Sequence, residues 1–127
     1  EAVGLSTISN YEDVANVRLT FQDGTIADIT ASRVTKDVVR KMRIFQEESY
    51  LSLDYVTQDV MLFEKTGEKI TQKKIKIKKK EPLKKELKSF VECVITGKRP
   101  IVSGVEGKRA LQVALEIVEK IRPSKHK

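Results

Sequence analysis

The sequence predicts an α+β fold in which two C-terminal helices pack on one face of a mostly antiparallel, open-faced β-sheet. Two observations predict it. Up to residue 80, apolar and polar residues alternate in short runs separated by turn residues, which is typical of strands joined by hairpins. From Glu81 onward the apolar residues recur at helical spacing. Because the strands come first and neither helix can bury its apolar stripe alone, we expect the helices to cover the sheet.

The first hairpin has the clearest pattern. In "DVANVRLTF", Ala15, Val17 and Leu19 point to one side of an extended chain and polar residues to the other. Asp23-Gly24 is a turn pair that tolerates positive φ, and "IADITASR" then alternates again. The polar side of this hairpin carries Asn16, Arg18, Thr20, Asp28, Thr30 and Ser32.

Other strands flank this hairpin. The opening "AVGLSTIS" already alternates like a strand. Downstream, "RKMRIFQ" and "YLSLDYV" are separated by the polar turn Glu47-Glu48-Ser49, and "DVMLFEK" and "ITQKKIKIK" flank a turn at Gly67. These runs predict a second and a third hairpin.

The two helices have recognisable ends. In "EPLKKELKSFVECVITG", Pro82 suits the first turn and Gly97 the position after the last. Ser103 and Glu106 of "SGVE" have the spacing of a capping box, which predicts the start of the second helix, and Pro123 predicts its end.

Composition predicts a single domain over residues 1–127, because 39% hydrophobic and 34% charged residues are typical of a globular chain. No apolar run approaches the roughly 18 residues that span a bilayer, and no signal peptide opens the chain, so we expect a cytoplasmic protein without membrane contact. The lone Cys93 and lone His126 provide neither a disulfide nor a metal-ligand cluster.

The run "KKIKIKKK", residues 73–80, supplies six of the seven net positive charges. Ile75 and Ile77 alternate with lysines, which predicts a late strand whose lysines protect a sheet edge. The alternative is a basic surface that binds nucleic acid or another anionic partner. The run has no arginine, no interleaved aromatic residue and no nucleic-acid motif, so the sequence favours the edge strand.

No motif for catalysis or cofactor binding is found. The six glycines are scattered and form no phosphate-binding loop. We interpret Asp13, Asp28 and Asp54 as turn or surface carboxylates, because they are dispersed along strands without a pairing signal. The sequence therefore predicts no catalytic, cofactor-binding or metal-binding residue in this chain.

Four arginines are the candidate site residues. Arg18 and Arg33 project from the first hairpin, and Arg40 and Arg43 bracket the next strand. Guanidinium groups bind carboxylate and phosphate oxygens with two parallel hydrogen bonds, so a gathered set would suit a substrate or a subunit contact. The alternative for each arginine is an ordinary surface ion pair.

Taken together, two long segments resemble the C-terminal domain of the Gfo/Idh/MocA family of NAD(P)-dependent oxidoreductases. They are "EDVANVRLTFQDGTIADITASRVTKDVVRKMRIF" and "EPLKKELKSFVECVITGKRPIVSGVEGKRALQVALEIVEKI". The features that match in order and spacing are Asp13, Phe21, Gly24, Ser32-Arg33, Pro82-Leu83, Glu86-Leu87, Phe90, Gly97, Pro100, Gly104, Gly107 and Ala110.

The resemblance implies a parent enzyme that moves hydride to or from a sugar, polyol or related CH–OH compound with NAD or NADP. It implies that the N-terminal Rossmann domain lies outside this chain, which begins at Glu1 without Met and is expected to be inactive and cofactor-free alone. It also implies that this domain lines the site of a small-molecule substrate and forms a homo-oligomer through its open sheet face. Arg18, Arg33, Arg40 and Arg43 would then face the substrate or a subunit.

Overall fold

The computed structural model describes residues 1–122 and confirms the α+β class. Seven strands precede two helices, and every strand pairing is antiparallel. The predicted stop at Pro123 and the tail with His126 lie outside the described residues. The elements are β1 (Ala2–Leu5), β2 (Val14–Thr20), β3 (Ile26–Ser32), β4 (Lys41–Phe45), β5 (Ser49–Asp54), β6 (Asp59–Thr66), β7 (Lys69–Ile75), α1 (Pro82–Thr96) and α2 (Gly104–Ile121).

The strands form two sheets, whereas the sequence analysis placed them in one. The first sheet has the order β1-β2-β3 and the second the order β4-β5-β6-β7. All three predicted hairpins are present, and Gly24 and Gly67 have φ angles of 84° and 63° in their turns. Glycine suits these positions because a Cβ atom disfavours positive φ.

The chain divides into two compact units. The first unit is Glu1–Lys36 together with the described residues from Glu92, and the second unit is Asp37–Val91. The division falls within α1, and β1–β3 with α2 belong to the first unit while β4–β7 belong to the second. That residues 1–127 form one domain stays a prediction.

In the first unit α2 packs against β1. Ile121, at the end of α2, is only 2% exposed, and Val17 of β2 is 8% exposed. Gly4 of β1 is required by this packing, because a Cβ atom there would lie 2.6 Å from Cγ2 of Ile121. The side chains on the α2 side of this sheet are therefore small or apolar.

Both helices begin where the sequence predicts, and α1 also ends where it predicts. Gly97 follows α1 with φ 67°. The Ser103 hydroxyl accepts a hydrogen bond from the backbone of Val105, and Glu106 accepts one from the Ser103 backbone N–H at 2.7 Å, completing the capping box. In the described residues neither helix is both long and apolar enough to span a membrane.

The second unit has a regular sheet but no buried residue. On one face, the rings of Phe45, Tyr50 and Phe63 stack across three strands with centroids 4.7 and 5.1 Å apart. The strand register places aliphatic residues on the opposite face. They are Met42, Ile44, Leu51, Leu53, Val60, Leu62 and Ile75.

Candidate functional site

The outer face of the first sheet, turned away from α2, carries two cross-strand polar pairs. Arg18 lies opposite Asp28, and its Nε and Nη2 donate to the two carboxylate oxygens at 2.7 and 2.8 Å. One rung further, the Thr30 hydroxyl donates to Oδ1 of Asn16 at 2.8 Å. The guanidinium of Arg18 is therefore already bound within its own chain.

The Arg18–Asp28 pair is joined by two hydrogen bonds yet open to solvent. The hydrogen bond from Arg18 lowers the pKa of Asp28, and the same bond raises the pKa of Arg18. Both side chains are more than half exposed. An exposed pair of this kind contributes little to stability, so its polar surface remains available for contacts with another molecule.

A buried carboxylate lies at the start of β2. The side chain of Asp13 is fully buried, and its Oδ2 accepts hydrogen bonds from the backbone N–H groups of Thr7, Ile8 and Ser9 at 2.7, 2.8 and 3.0 Å. Its Oδ1 accepts from the Ser9 hydroxyl at 2.9 Å and from Nε of Arg33 at 2.7 Å. We call this set of four residues around Asp13 the Asp13 cluster.

The cluster keeps Asp13 ionised. The backbone N–H of Ile8, followed by that of Thr7 and the side chains of Ser9 and Arg33, holds the pKa of Asp13 far below its usual range, and burial only partly opposes this. A carboxylate that accepts several N–H bonds is stabilised in its charged form.

The backbone of Asp13 joins the three strands of the first sheet. Its N–H donates to the carbonyl of Leu5 at 2.8 Å, and its carbonyl accepts from the N–H of Arg33 at 3.0 Å. The cluster therefore fixes residues 6–11 and both neighbouring strand ends. Ile8 and Tyr11, which this segment presents outward, are 74% and 66% exposed.

The four predicted arginines are not all equivalent. Arg33 is bound to Asp13, which precedes Arg18 by five residues in an extended chain. Arg33 and Arg18 are therefore about 17 Å apart along the strand direction. Arg40 and Arg43 lie in the second unit. There Arg43 is opposite Ser52 and has no carboxylate within 4.0 Å among the described residues, while the Arg40 carbonyl accepts from Tyr55 at 2.8 Å. The first unit therefore does not gather its two arginines at one point.

The described residues contain no glycine-rich turn of the kind that binds a dinucleotide. Such a site uses a glycine-rich turn between a strand and the helix that follows it. Here Gly24 and Gly67 lie in hairpin turns and Gly97 ends α1, while Gly104 and Gly107 open α2, which follows a helix. No described strand runs directly through a glycine loop into a helix.

Comparison with known proteins shows what the chain is similar to. No family model matches it. UDP-N-acetylglucosamine 3-dehydrogenase from Acidithiobacillus ferrooxidans is 26% identical over 122 residues, which cover 91% of this chain and 39% of that enzyme. Solved structures of that enzyme in two crystal forms, P21 and P212121, match with TM-scores of 0.84 and 0.85 at 27% identity, over 94% of this chain and 38% of theirs.

The chain is homologous to a Gfo/Idh/MocA-type oxidoreductase. It spans about two fifths of the length of the relative it matches. This extent is consistent with the C-terminal domain that the resemblance implied.

The sequence analysis missed the hydrogen-bonding role of Asp13 in this oxidoreductase homologue. Asp13 was interpreted as a turn or surface carboxylate, but it is buried and has five strong donors within 3.0 Å. The signal was the hydroxyl-rich "STIS" segment just upstream, combined with Arg33 at the matching end of the hairpin. The Arg18–Asp28 pair also follows from the hairpin register, because the Asp23-Gly24 turn places these residues opposite each other.

Proposed function

We propose that the chain is the substrate-binding and subunit-assembly domain of an NAD(P)-dependent oxidoreductase that acts on a CH–OH group of a sugar, and specifically of a nucleotide sugar. One observation carries the proposal: sequence and fold similarity to UDP-N-acetylglucosamine 3-dehydrogenase extend over nearly the whole chain, with a TM-score of 0.84. Fold alone does not fix function, and it is the coincidence of both similarities that supports the same reaction class.

The proposal assigns separate roles to separate parts of the parent protein. The nicotinamide cofactor supplies hydride chemistry, and a Rossmann domain outside this chain holds it. The described chain contributes a rigid scaffold, because the Asp13 cluster fixes the loop of residues 6–11 and the adjacent strand ends. A scaffold of this kind positions substrate-facing side chains without rearrangement on binding.

The experiment for this proposal measures turnover by the full-length protein that contains the chain. With NAD or NADP and UDP-N-acetylglucosamine, we expect reduced nicotinamide to accumulate, and we expect residues 1–127 alone to give none. Titration calorimetry of the 127-residue chain with NAD and NADP is the matched control. A saturable dinucleotide site of micromolar affinity in that chain would contradict the assignment of roles, and absence of turnover with any CH–OH substrate would contradict the reaction class.

The assembly role is assigned to the outer face of the first sheet. This face has short polar side chains such as Asn16 and Thr30 and no covering helix in the first unit, so a second copy could approach it closely. The Arg18 guanidinium binds its own Asp28, so the expected contact uses the outer surface of this pair instead of a new ion pair between subunits. A stable dimer would bury more than about 1,200 Å² in total.

Light scattering over a concentration series tests the dimer. Arg18→Glu should give a monomer, because it places two carboxylates opposite each other on this face. The double variant Arg18→Glu/Asp28→Arg restores a pair within the chain and should dimerise, which separates loss of the face from loss of the fold. A wild type that stays monomeric at high concentration would rule out this interface.

A further inference from the structure

The basic character of the protein is concentrated in residues 73–88, which we call the lysine segment. It contains nine lysines and two glutamates, a net charge of +7, and the whole chain also has a net charge of +7. The rest of the chain is therefore neutral overall. Every residue of the segment except Ile75 is exposed.

Edge protection explains only a small part of this charge. Strand β7 lies at the edge of the second sheet but ends at Ile75. Of the nine lysines in the segment, only Lys73 and Lys74 therefore belong to this strand. Lysines at positions 76, 78, 79 and 80 follow the strand, and those at 84, 85 and 88 lie in the first half of α1. The first turn of α1 contains no acidic residue, so these charges oppose the helix dipole.

The lysine charges are mostly uncompensated. Lys74 and Lys79 both approach Asp59, with N–O distances of 2.7 and 3.9 Å. Lys76 and Lys78 have no carboxylate within 4.0 Å in the part of the chain that the structure describes. The lysines of the segment outnumber the carboxylates near them. The segment therefore produces a positive electrostatic potential at its surface.

The segment is also held in place. The Gln58 side chain accepts a hydrogen bond from the Lys80 backbone N–H at 2.9 Å and donates one to the Lys80 carbonyl at 2.8 Å. This pair of bonds joins the end of the run to the β5–β6 turn. The backbone at the end of the run is therefore anchored to the second unit, and the exposed lysines lie along the chain between β7 and α1.

We propose that the lysine segment attracts the diphosphate group of a nucleotide-sugar substrate and raises its rate of association. This inference rests on the proposed function. A diphosphate is a compact anion, and lysine ammonium groups act on phosphates as point charges. Electrostatic steering acts over a Debye length of about 8 Å at physiological salt, so it needs no contact at the reacting carbon. The lack of arginine and aromatic residues in residues 73–80 favours this small anion over nucleic acid.

The test uses the full-length protein with UDP-N-acetylglucosamine as the probe and a variant that lacks three lysine charges: Lys76→Gln, Lys78→Gln and Lys88→Gln. Stopped-flow association is measured over a series of NaCl concentrations. We expect wild-type association to slow as salt rises, the variant to associate about tenfold more slowly at low salt, and the two to converge at high salt.

The matched control removes three charges from the first unit: Lys36→Gln, Lys98→Gln and Lys108→Gln. It has the same net charge as the segment variant, so it should retain wild-type association within about twofold if position matters more than total charge. The melting temperature of each variant is recorded to exclude misfolding.

The outcomes separate the inference from the proposed function. If the protein binds and turns over the nucleotide sugar without any salt dependence, or if both variants slow equally, the inference is wrong and the proposed function stands. If the segment variant slows association of NAD or NADP and not of the nucleotide sugar, the segment serves the cofactor and the inference is again wrong. If no nucleotide sugar binds or reacts, the proposed function fails and the inference fails with it.

Discussion

The two units differ in how far their sheets are buried. In the first unit, α2 covers β1, and the described chain buries Val17, Ile121 and the charged Asp13. In the second unit, four strands pair in order, yet no residue is fully buried. The first unit is held by packing and a buried charge, and the second by strand pairing and the stacked rings of Phe45, Tyr50 and Phe63.

The surfaces of the two units differ as well. Seven aliphatic side chains share one face of the second sheet, and none of these residues is fully buried. The first unit instead exposes a polar face on which Arg18 already donates to Asp28 and the Thr30 hydroxyl to Asn16. We therefore expect substitutions in the packed interior of the first unit to act on its stability, and substitutions of exposed side chains, on its outer face or in the second unit, to act on association.

The largest expected effect is that of Asp13→Asn. The amide loses the charge that five strong donors surround, and an Asn amino group would face either the backbone N–H groups or Arg33. We expect a large fall in melting temperature and faster amide hydrogen exchange in β1–β3, with exchange in β4–β7 unchanged. Asp28→Asn is the matched control, because it removes an exposed carboxylate, and it should change little. Equal effects of the two substitutions would contradict the special role of Asp13.

The pH dependence of the same variant has a definite sign. The pKa of Asp13 is lowered in the folded state, so its contribution to stability is present above the unfolded pKa of about 3.9 and is lost as pH falls toward the folded pKa. The stability difference between wild type and Asp13→Asn should therefore be constant near neutral pH and shrink below about pH 4. A difference that grows on acidification would show that another group dominates.

The second largest effect concerns the contact between α2 and β1. Ile121→Ala should destabilise the first unit by about 2–5 kcal/mol, because it leaves a cavity at a side chain that is 2% exposed. Gly4→Ala should also destabilise it, since the new Cβ would lie 2.6 Å from Cγ2 of Ile121. The double variant should be more stable than the sum of the single effects predicts, because each change relieves the other. Additive effects, measured by denaturant unfolding, would contradict this contact.

How much of this contrast was predictable depends on the range of the interactions. Turn glycines, the capping box and the hairpins were predicted correctly because each depends on residues close in sequence. The separation into two sheets was not, since alternation does not specify which strand pairs with which. Asp13 was missed because its hydrogen bonds come from Arg33, 20 residues away, and from the backbone of residues 7–9, whose path the alternation pattern does not specify. The roles of Arg18, Arg33, Arg40 and Arg43 toward substrate or subunit stay predictions.

A smaller effect is expected at the start of α2. Ser103→Ala removes the side-chain acceptor for the Val105 N–H and half of the capping box, which should cost about 0.5–2 kcal/mol. Hydrogen exchange should increase in the first turn of α2 and not in α1, whose first turn is capped by the Glu81 carboxylate. Ser103→Asp is the control, because aspartate is also a good N-cap residue. If Ser103→Asp is as destabilised as Ser103→Ala, capping is not what Ser103 provides.

The smallest expected effect on folding is that of Lys74→Gln, Lys76→Gln and Lys78→Gln together, and it tests the nucleic-acid alternative. These side chains are exposed, and the one ion pair lost, between Lys74 and Asp59, lies at the surface of the second sheet. The melting temperature should stay the same, and self-association should increase only slightly, because of the three lysines only Lys74 lies in the edge strand β7. The wild type should show no binding to duplex or single-stranded nucleic acid at physiological salt. Binding that persists there, with a salt dependence that the three substitutions flatten, would instead favour a nucleic-acid surface, because release of counterions from phosphates produces that dependence.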